Sequence, residues 1–453
     1  MEYLTVILLA AAIFVFYLLE PKAGFIAFIF ASSFDNFLYW DGLGFKVKIY
    51  QVFLLSGLFT FLMMNLLSKA KIKKDNLFFL LLLYWSCGFI SLKNAGNMTD
   101  AFIILAVELI SMLIYFLVIQ TVRTEKLIIN TLKAILLSGN FVALYGIFQV
   151  IGYNLGLKTQ VMDTQTYSWG RPTGTFYESN YLGAYSLSIA LILLSLLSSK
   201  LELFKKNYLR ASLFLQLVSL ILSMTRGAWA GLIFGTLLLG LLLVFTERRK
   251  RWGRLVYSVS LLLILSLVSV GLIASFSSTV SGDFLNRFST FKSLDFKPDS
   301  YSTESVRLSK MSRAVEVIKS NFWVGYGPGQ AGLYSDTFIW YNPEEEYLRR
   351  GAGASNFFLS ILFQRGVLGL IILCSFLAIF FRQTLRALAK IEDDSMKVIL
   401  RSIFIGFCGV FFTFMFTESH LLAFFWVQMG FIAAIRNFAL AGQKSVSNSQ
   451  AVS

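Results

Sequence analysis

The chain has 453 residues, of which 57% are hydrophobic, 16% aromatic and only 14% charged, with a formal net charge of +15 and a single histidine. A soluble domain carries about 25% charged residues, so this composition excludes one as the body of the chain and sets most of it against lipid. The Lys and Arg residues fall mainly in short linkers between apolar runs, which excludes the nucleic-acid footprint that such a charge would otherwise suggest.

Apolar runs of about 17 to 22 residues recur along the chain, each long enough to cross a hydrocarbon core of roughly 30 Å as a helix. The alternation a membrane barrel requires is absent from stretches such as LILLSLLSSK and LLLILSLVSV. In chain order, spans are expected near 3–19, 23–39, 49–67, 77–92, 101–120, 129–151, 181–198, 208–224, 227–246, 255–276, 356–381, 398–416 and 421–438. Met1 to Leu19 lacks a basic leading region and a small-residue cleavage pattern, so the first span is expected to remain as an anchor. The expected fold is therefore all-α and polytopic, with about 12 to 13 transmembrane helices. It divides into an N-terminal transmembrane bundle (1–276), one large loop or cap (277–355), C-terminal transmembrane helices (356–438) and a tail (439–453).

The linkers KAKIKKDN, VRTEK, KLELFKKN, TERRKRWGR and RQTLRALAK are basic and recur at every second gap. The positive-inside bias assigns them, and the tail, to the cytoplasm. Residues 93–100, 152–180, 277–355 and the turn Thr417 to His420 then lie outside. Thirteen spans put the N-terminus outside, whereas a single span or a re-entrant pair in place of the first two puts both termini inside. Within the cap, Glu304 to Ser320 reads as an amphipathic helix with Val306, Met311, Val315 and Ile318 on one face, and GYGPGQAG breaks it. Cys87, Cys374 and Cys408 lie inside expected spans without metal-like spacing, so they read as buried small residues and no metal site is indicated. No phosphate-binding loop of the GxxxxGK[ST] type occurs.

Arginine on the side that positive-inside does not explain is the most informative feature. Arg171, Arg226, Arg307 and Arg313 all fall at or beyond the outer ends of helices. An Arg at a helix centre costs about 2.5 to 3.5 kcal/mol on insertion scales, less near the interface, so such residues usually have a charged partner. A guanidinium offers a planar fork of donors matched to phosphate oxygens. Thr225 is placed to cap the helix that follows Arg226, whose positive end points to the same surface. Lipid-headgroup snorkelling or an internal Asp or Glu partner is the competing reading for each. Glu108, inside a span, is expected to face the protein interior and to pair with a buried Arg.

The stretches R-P-T-G-T-F-Y-E-S-N (Arg171 to Asn180), S-M-T-R-G-A-W (Ser223 to Trp229), R-L-S-K-M-S-R-A-V-E-V-I-K-S-N-F-W-V-G-Y-G-P-G (Arg307 to Gly329) and S-N-F-F-L-S-I-L-F-Q-R-G-V-L-G-L (Ser355 to Leu370) resemble, in sequence and order, the O-antigen ligase and polymerase superfamily. These are multispanning glycosyltransferases that use polyprenyl-diphosphate-linked glycans outside the cytoplasmic membrane of bacteria. The likeness spans about residues 76–438. Ligases of the family typically carry His-Asn where this chain has Ser355-Asn356, and Ser cannot act unaided as the base, so polymerase-like members fit better.

The resemblance implies inverting transfer, in which an acceptor sugar hydroxyl attacks the anomeric carbon and expels polyprenyl diphosphate, with no nucleotide, metal or other cofactor. Its implied partners are the polyprenyl-diphosphate-linked glycan, an acceptor glycan, membrane lipid, and a chain-length regulator or flippase; nucleic acid is not among them. Arg171, Arg226 and Arg307 are the candidates for stabilising the leaving diphosphate. Glu178, Glu418 and His420 are the candidate proton acceptors, with His420 beside Glu418 at a helix end. Arg313, Asn180, Tyr326, Ser355 and Asn356 are the candidate substrate-binding residues. Trp323, Tyr334, Trp340 and Tyr341 could stack on sugar rings or pack the cap, and Glu344 to Glu346 could contact sugar hydroxyls or form a solvated face. Three activities remain open: polymerisation of lipid-linked repeats, ligation of a finished glycan to another acceptor, and transport of a lipid-linked sugar or small anion.

Overall fold

Side-chain caps fix where many of the helices begin, because the first-turn N–H groups have no partner inside the helix. In the computed structural model, which describes residues 2–42, 45–68, 72–162, 170–199, 203–246, 303–330, 356–417 and 419–450, Asp75, Asn97, Thr124, Asn356 and Asp393 each accept a hydrogen bond from a first-turn amide. In chain order the helices are α1 (Glu2–Leu19), α2 (Pro21–Ala31), α3 (Ile49–Ser68), α4 (Asn76–Ser91), α5 (Met98–Thr121), α6 (Glu125–Asn154), α7 (Ser179–Leu197), α8 (Lys206–Leu222), α9 (Arg226–Thr246), α10 (Thr303–Ile318), α11 (Phe357–Lys390), α12 (Asp394–Thr413) and α13 (Ala423–Gln450). Two antiparallel hairpins, β1 (Tyr39–Gly42) with β2 (Phe45–Lys48) and β3 (Val161–Met162) with β4 (Arg171–Pro172), are the sheet among the described residues. Nine of these helices are long and apolar enough to cross a membrane. The chain is an all-α polytopic membrane protein. The span expected at 255–276 and the cap residues 277–302 and 331–355 lie outside the described residues.

Helices from both ends of the chain build one bundle. The centre is α7, α12 and α13, the most enclosed of the long apolar helices. Glycines let α7, α9 and α12 approach closely: a Cβ on Gly231 would lie 3.0 Å from the Gly409 carbonyl oxygen, and one on Gly406 would lie 2.8 Å from that of Ser188. Small residues at such crossings gain contact where lipid removes the hydrophobic drive for helix association. Of the three cysteines, only Cys408 is buried; Cys87 is half-buried and Cys374 is exposed on α11. The expectation that all three are buried is corrected accordingly: exposure to an apolar medium costs a thiol little.

Two expected spans are altered by tertiary contacts. The span near 23–39 is the 11-residue helix α2, and Tyr39 already begins a strand. Past Ala31 the chain is drawn onto the 171–180 loop: Asp35 and Asn36 donate their amides to the Thr175 carbonyl oxygen (3.1 and 2.8 Å), while the Thr175 hydroxyl donates to that of Ser33 (2.6 Å). The span near 356–381 is interrupted at Gly366, whose φ of 62° and ψ of −169° are not helical. The segment after α10 fills the break. Tyr326 and Gly327 donate their amides to the Phe363 and Gln364 carbonyl oxygens, each at 2.9 Å, and the Val367 amide donates to that of Phe322 at 2.9 Å. Backbone groups released by the break are thereby satisfied, the condition for irregular backbone at membrane depth.

The same segment is clamped to the turn between α4 and α5. Asn94 Nδ2 donates to the Gly325 carbonyl oxygen at 2.8 Å, and the Gln330 amide both accepts from the Asn97 N–H (2.8 Å) and donates to its carbonyl oxygen (2.9 Å). Below this clamp, Arg365 pairs with Glu108, as expected for an acid inside a span; the two side chains are almost fully buried. Arg365 also donates to the Tyr84 hydroxyl at 3.0 Å and lies over the Tyr84 ring. Breaking a buried ion pair from one side leaves an uncompensated charge. Glu108→Ala is therefore expected to cost about 3–5 kcal/mol, seen as a lower unfolding midpoint in detergent, and Glu108→Ala with Arg365→Met is expected to recover much of that loss. A double variant no more stable than Glu108→Ala would show that the pair is not the reason.

Candidate active site

The site lies at the end of the bundle opposite the basic linkers, where α7, α9, α11 and α13 begin. Its foundation is the loop Arg171 to Glu178, held by Gln149 of α6. The fully buried Gln149 side chain accepts from the amides of Thr173 (3.1 Å) and Gly174 (2.7 Å) and donates to the Gly174 carbonyl oxygen (3.1 Å). Gly174 sits at φ 59°, a conformation that suits glycine. Gln149 escaped the sequence reading because an amide in an apolar run carries no chemical signature by itself.

Arg171 is 9% exposed and joins this loop to the turn between α8 and α9. Its Nε donates to the Ser223 carbonyl oxygen at 2.9 Å and its Nη2 to Asn180 Oδ1 at 3.2 Å. The turn itself is strained: Met224 adopts φ 52°, uncommon for a non-glycine side chain and costing roughly 1–3 kcal/mol. Strain of this kind persists where surrounding contacts enforce it and gathers at functional sites. The Thr225 hydroxyl, expected to cap α9, instead turns across to α7. It donates to the Ser179 carbonyl oxygen at 3.2 Å and receives the Ser223 hydroxyl at 3.1 Å. Glycine at position 183 is required there, since a Cβ would come within 2.8 Å of both Ser223 Oγ and Thr225 Oγ1. Arg226, half-buried, is the first residue of α9 and follows the strained turn directly. Glu178 is half-buried on the same loop, and its Oε2 accepts from Asn180 Nδ2 at 3.4 Å.

A wall of aromatic rings ties this cluster to the starts of α11 and α13. Phe176 meets Phe424 at 5.8 Å between ring centroids, and Tyr185 meets Phe424 at 4.9 Å. A Cβ on Gly227 would lie 3.5 Å from the Phe416 side chain. His420, 8% exposed, packs its ring on Phe357 at 5.0 Å, and its carbonyl oxygen accepts from Trp426 Nε1 at 2.7 Å. Asn356 caps α11 through Oδ1 and donates from Nδ2 to the Met415 carbonyl oxygen at 3.0 Å, so the Asn-Phe step and the His420 turn are one packed unit.

Arg171, Glu178, Asn180 and Arg226 are thus brought together, with His420 and Asn356 on the adjoining wall. Arg313 lies apart on α10, exposed and paired with Glu316 at 2.9 Å. Tyr326 is buried, stacked on Phe363 at 5.2 Å, with its hydroxyl donating to the Val317 carbonyl oxygen at 3.2 Å. Trp323 is 66% exposed. Arg307 falls in α10, but its side chain lies outside the described residues, as do Glu418, Ser355, Tyr334, Trp340, Tyr341 and Glu344 to Glu346. Among the described residues, no group of acidic, His and Cys side chains is arranged to hold a metal ion.

Comparison with known families bears on this arrangement. Residues 211–374 match a family model described as O-antigen ligase. The chain carries an O-antigen ligase family domain. That domain covers most of α8, the strained turn, α9 with Arg226, α10, the segment that fills the Gly366 break and the first half of α11. Arg171 and His420 lie on either side of it in sequence and reach its surface through packing. The match supports the O-antigen ligase and polymerase superfamily, and with it glycan transfer of that general type by a multi-pass membrane protein. No curated protein matches the chain.

Proposed function

We propose that the chain polymerises polyprenyl-diphosphate-linked oligosaccharide repeats by inverting transfer at the outer face of a bacterial cytoplasmic membrane. The observation that carries the reading is the meeting of the Arg171 loop with the strained Ser223–Thr225 turn at the first residue of α9. Arg226 and Arg171 would bind the diphosphate, aided by the positive end of α9. Because charge on the leaving oxygens grows as the anomeric bond breaks, donors fixed in advance lower the barrier without reorganising. Arg307 joins them in this reading, with Arg313, Asn180, Tyr326, Ser355 and Asn356 contacting the glycan. His420, Glu178 or Glu418 takes the acceptor hydroxyl proton. His420 is preferred because its ring is seated on Phe357, immediately after the Ser355-Asn356 step.

A second reading, ligation of a finished glycan to another acceptor, is favoured by the description of the matching family. The two differ in product. Purified protein given a defined diphosphate-linked repeat is expected to yield a ladder of longer lipid-linked glycans, and a single transfer without elongation would favour ligation. In that assay His420→Ala is expected to lower turnover by about 10²–10⁴-fold with little change in the unfolding midpoint. Turnover near the wild-type rate would leave His420 a packing residue and pass the proton to Glu178 or Glu418.

A further inference from the structure

The turn at the centre of the Arg171 loop is gripped from two sides. Its Phe176 amide donates to the Thr173 carbonyl oxygen at 3.1 Å, and Arg171 and Glu178 each stand two residues outside it. Gln149 holds one side, through Thr173 and Gly174. The other is held by the strap that follows α2: the Asp35 and Asn36 amides converge on the Thr175 carbonyl oxygen, and the Ser33 carbonyl oxygen takes the Thr175 hydroxyl. The strap is seated on α6, where Ser33 Oγ and Ser138 Oγ share a hydrogen bond of 2.6 Å and Ser138 Oγ donates to the Phe30 carbonyl oxygen at 2.9 Å.

One ion pair fixes the strap at its far end. Lys48, the last residue of β2, places its Nζ on Asp35 Oδ1, with the Asp35 side chain 11% exposed and that of Lys48 27%. Lys48 also donates its amide to Gln51 Oε1 in the first turn of α3, at 2.9 Å, and the Ile49 amide donates to the Leu38 carbonyl oxygen at 3.2 Å. Between these contacts Leu38 adopts φ 57°, a conformation uncommon for leucine that its surroundings must enforce. Lys48 lies at the end of the bundle away from the basic linkers, so positive-inside selection does not account for it. Stability does not account for it either, because the cost of desolvating both charges offsets most of the attraction of an enclosed pair. What such a pair supplies is a narrow range of geometries, here at the residue whose own amide grips the loop.

We propose that Asp35 and Lys48 are positioning residues for glycan transfer: their ion pair locks the strap and, through Thr175, holds in place the loop that carries Arg171 and Glu178. This role rests on the reading of that loop as part of the active site. Neither side chain touches substrate in it, so loss of the pair should slow the chemical step more than it weakens donor binding.

The test is turnover of a defined diphosphate-linked repeat by the purified full-length chain in detergent, for Lys48→Met, for Asp35→Asn with Lys48→Met, and for Lys48→Met with Arg171→Lys. In Lys48→Met, kcat is expected to fall by about 10²-fold with the donor KM within about threefold of wild type. Lys48→Arg, which keeps the charge, is expected to retain most of the turnover. Added to Arg171→Lys, Lys48→Met is expected to cost less than about threefold more, since two changes acting through one loop do not add. Should Lys48→Met fail to fold because it strands the Asp35 carboxylate, the Asp35→Asn and Lys48→Met double variant carries the test with both charges removed. Wild-type turnover in these folded variants, or an undiminished loss on top of Arg171→Lys, overturns the role. Wild-type turnover by Arg171→Lys alone would remove the active-site reading of the loop and this role with it, whereas an impaired Arg171→Lys beside an unimpaired Lys48→Met removes only the role.

Discussion

Lysine in place of Arg171 or Arg226 is expected to slow glycan transfer by about 10²–10³-fold while the charge at each position is kept. Arg171 uses two separate nitrogens to reach the Ser223 carbonyl oxygen and Asn180 Oδ1. A single ammonium can serve one of them at a time. Through the Ser223 contact, Arg171 also holds the strained Met224 turn that sets the direction of Arg226. Arg171→Lys should therefore misplace two cations, and Arg226→Lys one. The measurement is turnover of a purified, diphosphate-linked repeat, with the unfolding midpoint followed in parallel. Folded variants that turn over at the wild-type rate would remove guanidinium geometry from the mechanism. A variant with lower turnover and an unchanged midpoint would support it.

The second large effect is structural. Gly366→Ala is expected to lower stability by roughly 3–5 kcal/mol, combining a backbone conformation open essentially to glycine with overpacking. A Cβ there would lie 2.3 Å from the Trp323 carbonyl carbon and oxygen, both backbone atoms that cannot swing aside. Gly325 faces the break from the other side, where a Cβ would lie 2.6 Å from the Arg365 amide nitrogen. Gly156→Ala is the control: its φ is 79°, yet nothing lies within 4 Å of the added carbon, so only the backbone term of about 1 kcal/mol remains. Unfolding midpoints of the three proteins in one detergent separate the two contributions. If Gly366→Ala were no worse than Gly156→Ala, the fit of the 321–327 segment into α11 would not be tight.

What the sequence determines by itself is one-dimensional. Apolar run length and the basic linkers place the helices and the ends that share a side, and α5, α6, α7, α9 and the amphipathic α10 begin within a few residues of where periodicity and charge put them. Local chemistry also marks Arg171, Asn180 and Arg226, because a charged or polar group beside an apolar run needs a reason to be there. The tertiary structure decides everything that depends on a distant partner. α2 stops at Ala31 because the following amides find Thr175. α11 breaks at Gly366 because a segment some forty residues earlier fills the gap. Glu108 meets Arg365, 257 residues away. Arg171 meets Ser223, 52 residues away. Hydrophobic length acts residue by residue and can be read along the chain, whereas a buried polar group is satisfied only by whatever packing brings within about 3 Å. That selection turns separate motifs into one candidate site at one end of the bundle.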